Sequence, residues 1–280
     1  MSTIQRSFDA FILGSDQVWN PMLLGGDYYT LTWVDSRRPK VTYASSFGVS
    51  EIPASQVKKT KEYLSRFNMI SVREKQGAEI VEKLTGKKAE VCCDPTVLTD
   101  RKRWDELSGD CPFVSEKYIF CYFIGNNPTQ REFAKKLAQK TGCKILAVKH
   151  IDEYIKSDDD FGDIDYLEVG PKEFVNFIRY ATYVCTDSFH GTIFSIMYNK
   201  NFFTFKRFSD SQKSSMNSRV KNILSIVGLS NRLFEDSITP EAALAYQVDW
   251  SDVNKRLNDF RKSSREYFER AIKCLKGAQE

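Results

Sequence analysis

An α/β fold in two halves is what this chain predicts, and three observations carry the prediction. Short apolar runs alternate with amphipathic ones from the start, which is the pattern of a parallel sheet covered by helices. A polar break at Ser108-Gly109-Asp110-Cys111-Pro112 interrupts the alternation, which then restarts. The length of 280 residues exceeds the usual size of one domain. Both halves therefore read as Rossmann-like.

In the first half, strands are expected over 8–13, 40–45, 69–72 and 89–93, where β-branched and aromatic residues cluster. Helical apolar spacing fills 54–67 and 74–84. Thr85-Gly86 supplies a stop for the second helix, and Asp94-Pro95 ends the last strand. After a short helix around Trp104, the second half places strands at 118–124, 144–148, 183–186 and 202–205, with helices at 129–140, 172–180 and 189–198. Two more helices, 219–227 and 253–275, close the chain, the last long enough to reach back across the first lobe. The organisation expected is a lobe over 1–110, a lobe over 111–230, and C-terminal helices over 231–280.

Composition narrows the function classes. Hydrophobic residues at 41% and charged residues at 28% fit an ordinary soluble protein, and a net charge of +4 is too small to argue for nucleic acid. Seven cysteines are an odd count without paired spacing. Cys92, Cys93, Cys121, Cys143 and Cys185 sit in or beside apolar runs and read as buried thiols of a reducing cytoplasm. No basic, apolar leader opens the chain, and no run approaches the roughly 18 apolar residues that span a bilayer. Neither GxGxxG nor GxxxxGK[ST] is present, so no dinucleotide fingerprint or P-loop is expected.

The most informative run is Val184 to Ile196. A β-branched strand ends at Thr186 and Asp187, Asp187 and Ser188 are good N-cap residues, and Ile193, Ile196 and Met197 give helical spacing. His190 then falls in the first helical turn, among the small polar residues Ser188, Gly191 and Thr192. Backbone N–H groups and the positive helix end favour an anion there, and an imidazolium could bind it and donate a proton. The plainer reading is a hydrogen-bonded packing histidine. Lys206 and Arg207, ending the next strand, would add positive charge, or form an ordinary solvated basic turn. The serine-rich basic segment that continues from Lys206 to Asn217 is expected to be mobile without ligand and to close over a bound anion.

Two further segments lie at strand ends, where open α/β sheets bind ligands. In Gly14-Ser15-Asp16-Gln17-Val18-Trp19-Asn20-Pro21, Trp19 could stack on a sugar while Ser15, Asp16, Gln17 and Asn20 contact its hydroxyls; equally, Asp16 could cap a turn and Trp19 pack in the core. Arg73 offers a fork for carboxylate or phosphate, against the alternative of a salt bridge to Glu74 or Asp94. Asp158-Asp159-Asp160 reads as an exposed acidic loop, and His150 with Asp152 does not make a metal site.

Taken in order, Gly14 to Pro21, Ser71-Val72-Arg73-Glu74, Asp94-Pro95-Thr96 and Thr186 to Thr192 resemble the polysaccharide pyruvyl transferase family, over roughly residues 8 to 230. That resemblance implies a GT-B-like arrangement of the two lobes, with the opening βα unit of the first lobe lacking. It implies transfer of pyruvate from phosphoenolpyruvate onto sugar hydroxyls of envelope or exported polysaccharides, forming a cyclic ketal. Arg73, His190 and Lys206, with Arg207 adjacent, then correspond to donor-binding and catalytic positions, and Asp16 is the candidate that orients the acceptor or takes its proton. Partners implied are phosphoenolpyruvate and a sugar or lipid-linked glycan, reached by peripheral contact with a membrane; no metal or cofactor beyond the donor is required. A nucleotide-sugar glycosyltransferase and a non-catalytic glycan- or anion-binding module are the competing expectations.

Overall fold

A computed structural model describes Ile4 and residues 7–150, 154–166, 168–208 and 217–277. The chain divides into two compact units, one of Met1–Leu98, Asp210–Asn222 and Leu257–Glu280, the other of Thr99–Ser209 and Ile223–Arg256.

The first unit contains β1 (Phe11–Leu13), β2 (Lys40–Thr42), α1 (Val57–Ser65), β3 (Ser71–Val72), α2 (Lys75–Thr85), β4 (Glu90–Val91) and α3 (Pro95–Leu98). β1 pairs with β2 and β3 with β4, all parallel, and bridges Val41–Met69 and Ser45–Val72 tie β2 to β3. β2 stops at Thr42, short of the expected 45, where Ala44 takes a left-handed φ of 50°, whereas β1 ends at Leu13 as expected but begins only at Phe11. One core layer gathers Leu13, Trp19, Phe47, Tyr63, Phe67 and Val72. A second packs Tyr267, Ala271 and Leu275 of the C-terminal helix onto Val41, Tyr43 and Cys92, and Tyr267 Oη donates to the Thr42 carbonyl at 2.9 Å.

The second unit holds α4 (Arg101–Ser108), β5 (Tyr118–Tyr122), α5 (Pro128–Thr141), β6 (Lys144–Ala147), β7 (Ile164–Asp165), α6 (Pro171–Tyr180), β8 (Tyr183–Thr186), α7 (Phe189–Met197), β9 (Asn201–Phe205), β10 (Leu233–Phe234) and α8 (Pro240–Leu244). Residues 99–110, expected at the end of the first lobe, cluster here. The reason is a set of polar ties: Arg179 donates to the carbonyls of Asp105 and Gly109, and Asn176 donates to those of Ser108 and Cys111.

The sheet of this unit is parallel throughout, in the order β7-β6-β5-β8-β9-β10. The chain starts at the central β5, runs outward to β7, returns to β8 and runs outward the other way. That is the doubly wound order, and strand direction of travel reverses between β5 and β8, where such sheets leave a ligand crevice at their carboxyl ends. Phe133, Phe203, Phe205 and Phe234 fill one face of the sheet. β7 and β10, two residues each, had no recognisable run in the sequence. Cys92, Cys93, Cys121, Cys143 and Cys185 are buried, as expected. Among the described residues no helix is long and apolar enough to cross a membrane.

Candidate functional site

In the first unit, the segments after β1, β2, β3 and β4 bring Ser15, Asp16, Arg73 and Asp94 together. Arg73 is 3% exposed; its Nη1 donates to Asp94 Oδ2 at 2.6 Å and its Nη2 to Asp16 Oδ1 at 3.1 Å. Ser15 Oγ lies 3.1 Å from the same Asp94 oxygen, and Thr96 donates to the other. Two carboxylates thus face one guanidinium. Asp94 is buried, whereas 64% of the Asp16 side chain is exposed on a left-handed backbone. Strain of that kind at an exposed polar residue is characteristic of functional turns.

Glu74 turns the other way. It is wholly buried, its Oε1 accepting from Ser46 Oγ and the amides of Phe47 and Gly48, with Oε2 unpartnered. Burial pushes its carboxyl above the ordinary value despite Arg73 next to it.

The structure corrects the sugar-stacking expectation for Trp19. The indole is 1% exposed, donates to the Tyr29 carbonyl at 3.2 Å, and lies 5.1 Å, 5.8 Å and 5.7 Å from the rings of Phe47, Tyr63 and Phe67. An indole buries more apolar area than any other side chain, so among three rings it packs inward. Asn20 is buried too, donating to Gln17 Oε1 at 2.9 Å and accepting from the Met22 amide.

In the second unit, the turn from β8 into α7 stands on the β8 side of the switch point. Ser188 is the N-cap, accepting from the Gly191 amide, and its carbonyl accepts from the amide and hydroxyl of Thr192. A Cβ on Gly191 would sit 2.5 Å from Thr186 Oγ1, so only glycine fits. Asp187 does not cap the helix. Its two oxygens accept from the amides of Ile124 and Gly125 at 2.7 Å and 2.8 Å, pinning the loop after β5 across the switch point.

His190 is the second residue of α7, its ring 5.4 Å from that of Phe189. Of the seven residues Thr186 to Thr192, six are buried and His190 alone is part-exposed. Arg207 Nε lies 3.8 Å from Asp187 Oδ2, while Lys206 Nζ pairs with Glu235. Arg207 is therefore a cation beside the turn, its Nη2 also 3.4 Å from the Asp187 carbonyl, in a bend that follows the end of β9. Of the lid expected after Lys206, residues 209–216 lie outside the described residues.

The model of the polysaccharide pyruvyl transferase family matches residues 2–207. The chain belongs to that family. The match takes in all four motifs, so Asp16, Arg73, Asp94 and His190 are residues of the family's own region. No curated protein gives a significant match. Among solved structures, a Listeria monocytogenes protein assigned as a UDP-N-acetylglucosamine 2-epimerase superimposes with TM-score 0.53 at 11% identity, over 93% of this chain and 69% of that one. A UDP-GlcNAc 2-epimerase from Neisseria meningitidis gives 0.51 at 9%, over 95% and 80%. Likeness at such identity shows the α/β fold alone.

One cluster escaped the sequence reading. Behind the β5 loop, Asp158 accepts from Arg131 Nε at 2.6 Å and faces His150 Nδ1 at 2.8 Å; it is 8% exposed, which corrects the expectation of an exposed acidic loop at this residue, while Asp159 and Asp160 are exposed as expected. His150 Nε2 lies 3.0 Å from the Ile124 carbonyl, and Arg131 Nη1 donates to the carbonyls of Gly125 and Asn127. Burial alone would depress the His150 ring, but its bonds to Asp158 and to the Ile124 carbonyl outweigh burial and hold it above its ordinary value. A cavity of about 900 Å³ opens here, walled by Tyr122, Ile124, Val148, Lys149, Glu168 and Glu173 among others. The only signal in sequence was the isolated His150 itself.

Proposed function

We propose that the chain transfers pyruvate from phosphoenolpyruvate to two hydroxyls of a glycan, closing a cyclic ketal. Membership of the family supports the transferase class, and one observation carries the chemistry: within the fixed turn after β8, His190 is the single side chain that reaches the surface.

Phosphoenolpyruvate carries a carboxylate and a phosphate, and the start of α7 offers backbone N–H groups and a positive helix end to such an anion. His190, protonated, gives its proton to C3 of the enol, so the methylene becomes a methyl group and C2 becomes electrophilic. A glycan hydroxyl bonds to C2 and loses its proton. Inorganic phosphate then leaves with the C2–O bond pair, and a second hydroxyl takes its place, giving a ketal and phosphate from enol phosphate and diol. Arg207 stabilises the departing charge.

In the first unit Asp16 is the more exposed of the two carboxylates on Arg73, and it is assigned to accept a hydrogen bond from a sugar hydroxyl, with Arg73 and Asp94 fixing its position. No cofactor beyond the donor enters the scheme. A nucleotide- or lipid-linked sugar serves equally as the acceptor in this chemistry.

The test mixes the protein, phosphoenolpyruvate and a panel of free, nucleotide-linked and lipid-linked sugars, following phosphate release and acceptor mass. Phosphate released in step with a mass gain of pyruvate less water is expected, and its loss in a folded His190→Ala protein. Wild-type turnover by that variant would remove His190 from the mechanism.

A further inference from the structure

We infer that His150 is a positioning residue for the His190 turn: as an imidazolium it holds the Ile124 carbonyl, and through the Ile124–Gly125 peptides and Asp187 it fixes the backbone that carries His190. This rests on the reading of His190 as the acid.

His150 Nδ1 faces the Asp158 carboxylate and Nε2 faces the Ile124 carbonyl. Both partners only accept, so both ring nitrogens must carry hydrogen, and only the charged ring does. The ring is held above its ordinary value, as the geometry requires. Among the described residues, the charged groups around it are Asp158, Arg131 from α5, the adjacent Lys149, and Glu168 and Glu173, which line the same cavity.

The Ile124–Gly125 segment is gripped on both sides. Its amides point at Asp187, whose carboxylate precedes the Ser188 cap by one residue, and its carbonyls point at His150 and Arg131. The peptide that joins Ile124 to Gly125 is thus polarised between the His150 cation on its carbonyl and the Asp187 anion on its amide, which strengthens both bonds. When His150 loses its proton, the Nδ1–H facing Asp158 is the one retained. Nε2 then presents a lone pair to the Ile124 carbonyl, and one side of the grip becomes repulsive. The sign is fixed: the grip is complete at low pH and fails as pH rises through the raised value of His150.

Only two histidines occur in the chain, so ¹⁵N-histidine labelling yields two ring systems, assigned with His150→Arg. At neutral pH His150 should show both nitrogens protonated, and the His190 titration curve should carry a second inflection where His150 titrates, absent in His150→Arg. A His150 ring neutral at neutral pH, or a single His190 inflection in the wild type, would overturn the inference. In the transfer assay His150→Gln should lower kcat about tenfold with the KM for phosphoenolpyruvate little changed, since small displacements of a catalytic group cost rate. His150→Arg, which keeps two donors, should restore kcat to within about twofold. Equal loss in both variants would reduce His150 to packing. The labelling readout needs no turnover, so an absent transfer reaction with the expected coupling sinks the functional reading and leaves the positioning role standing.

Discussion

Replacing Asp187 by asparagine isolates the tie across the switch point. The carboxylate is 3% exposed and accepts two amide hydrogens, from Ile124 at 2.7 Å and Gly125 at 2.8 Å. Asparagine keeps the shape but has one acceptor oxygen, so its amide nitrogen must face one of those N–H groups. Losing one charge-assisted bond costs about 1.5–3 kcal/mol, and the buried N–H left unmatched adds about 1–3 kcal/mol. Gly125 gives little room for relief, since even a Cβ there would lie 2.8 Å from Asp187 Oδ2. The expected total is about 3 kcal/mol, roughly a hundredfold in the local opening equilibrium. Native-state hydrogen exchange reads it directly: protection of the Ile124 and Gly125 amides should fall by about that factor, while amides of the Thr129–Ala138 stretch of α5 change far less. Unchanged protection at both loop amides would refute the claim that Asp187 supports this turn.

Trp19→Ala should destabilise the first unit by about 3–5 kcal/mol through the cavity left among Phe47, Tyr63 and Phe67, seen as an earlier urea transition; a native midpoint would mean the indole is not a core residue. Glu74→Gln should remove a pH slope. Because burial raises the carboxyl in the folded protein, the folded state binds the extra proton, and wild-type stability falls as pH rises from the ordinary value of 4.5 through the raised one. Thermal midpoints of the two proteins should diverge across that window with the variant flatter, and parallel curves would contradict the assignment.

The parallel architecture was legible because its helices are amphipathic and its longer strands are apolar. β7 and β10 were not, since two-residue strands leave no periodicity to detect. The turn at His190 was legible for the same local reason: cap chemistry and helix spacing are nearest-neighbour properties, and Ser188 caps as expected. What the sequence could not carry was direction. Asp187 and Ser188 are both good caps, yet only the backbone angle decides which one faces the helix and which reaches back to β5. The same holds for Lys206 against Arg207, and for Arg73, whose partners Asp16 and Asp94 lie 57 and 21 residues away. Trp19 misled because a tryptophan among polar residues looks like a platform until the three rings that enclose it are assembled from distant segments.

The motif Thr186 to Thr192 can be read residue by residue as the cost of presenting one imidazole. Thr186 donates to the Tyr122 carbonyl and accepts from the Ser188 amide, Asp187 holds the β5 loop, and Ser188 caps the helix. Phe189 is buried, Gly191 lies where a Cβ has no room, and Thr192 shares a hydrogen bond with Thr204 of β9. Six positions are therefore explained by folding alone, and each would constrain sequence even in a protein without activity. His190 is the part-exposed position of the seven, an imidazole in the first turn near the positive end of the helix. Under the proposed function that imidazole meets an anion arriving from solution, and the rigid frame around it then serves to hold a proton donor still.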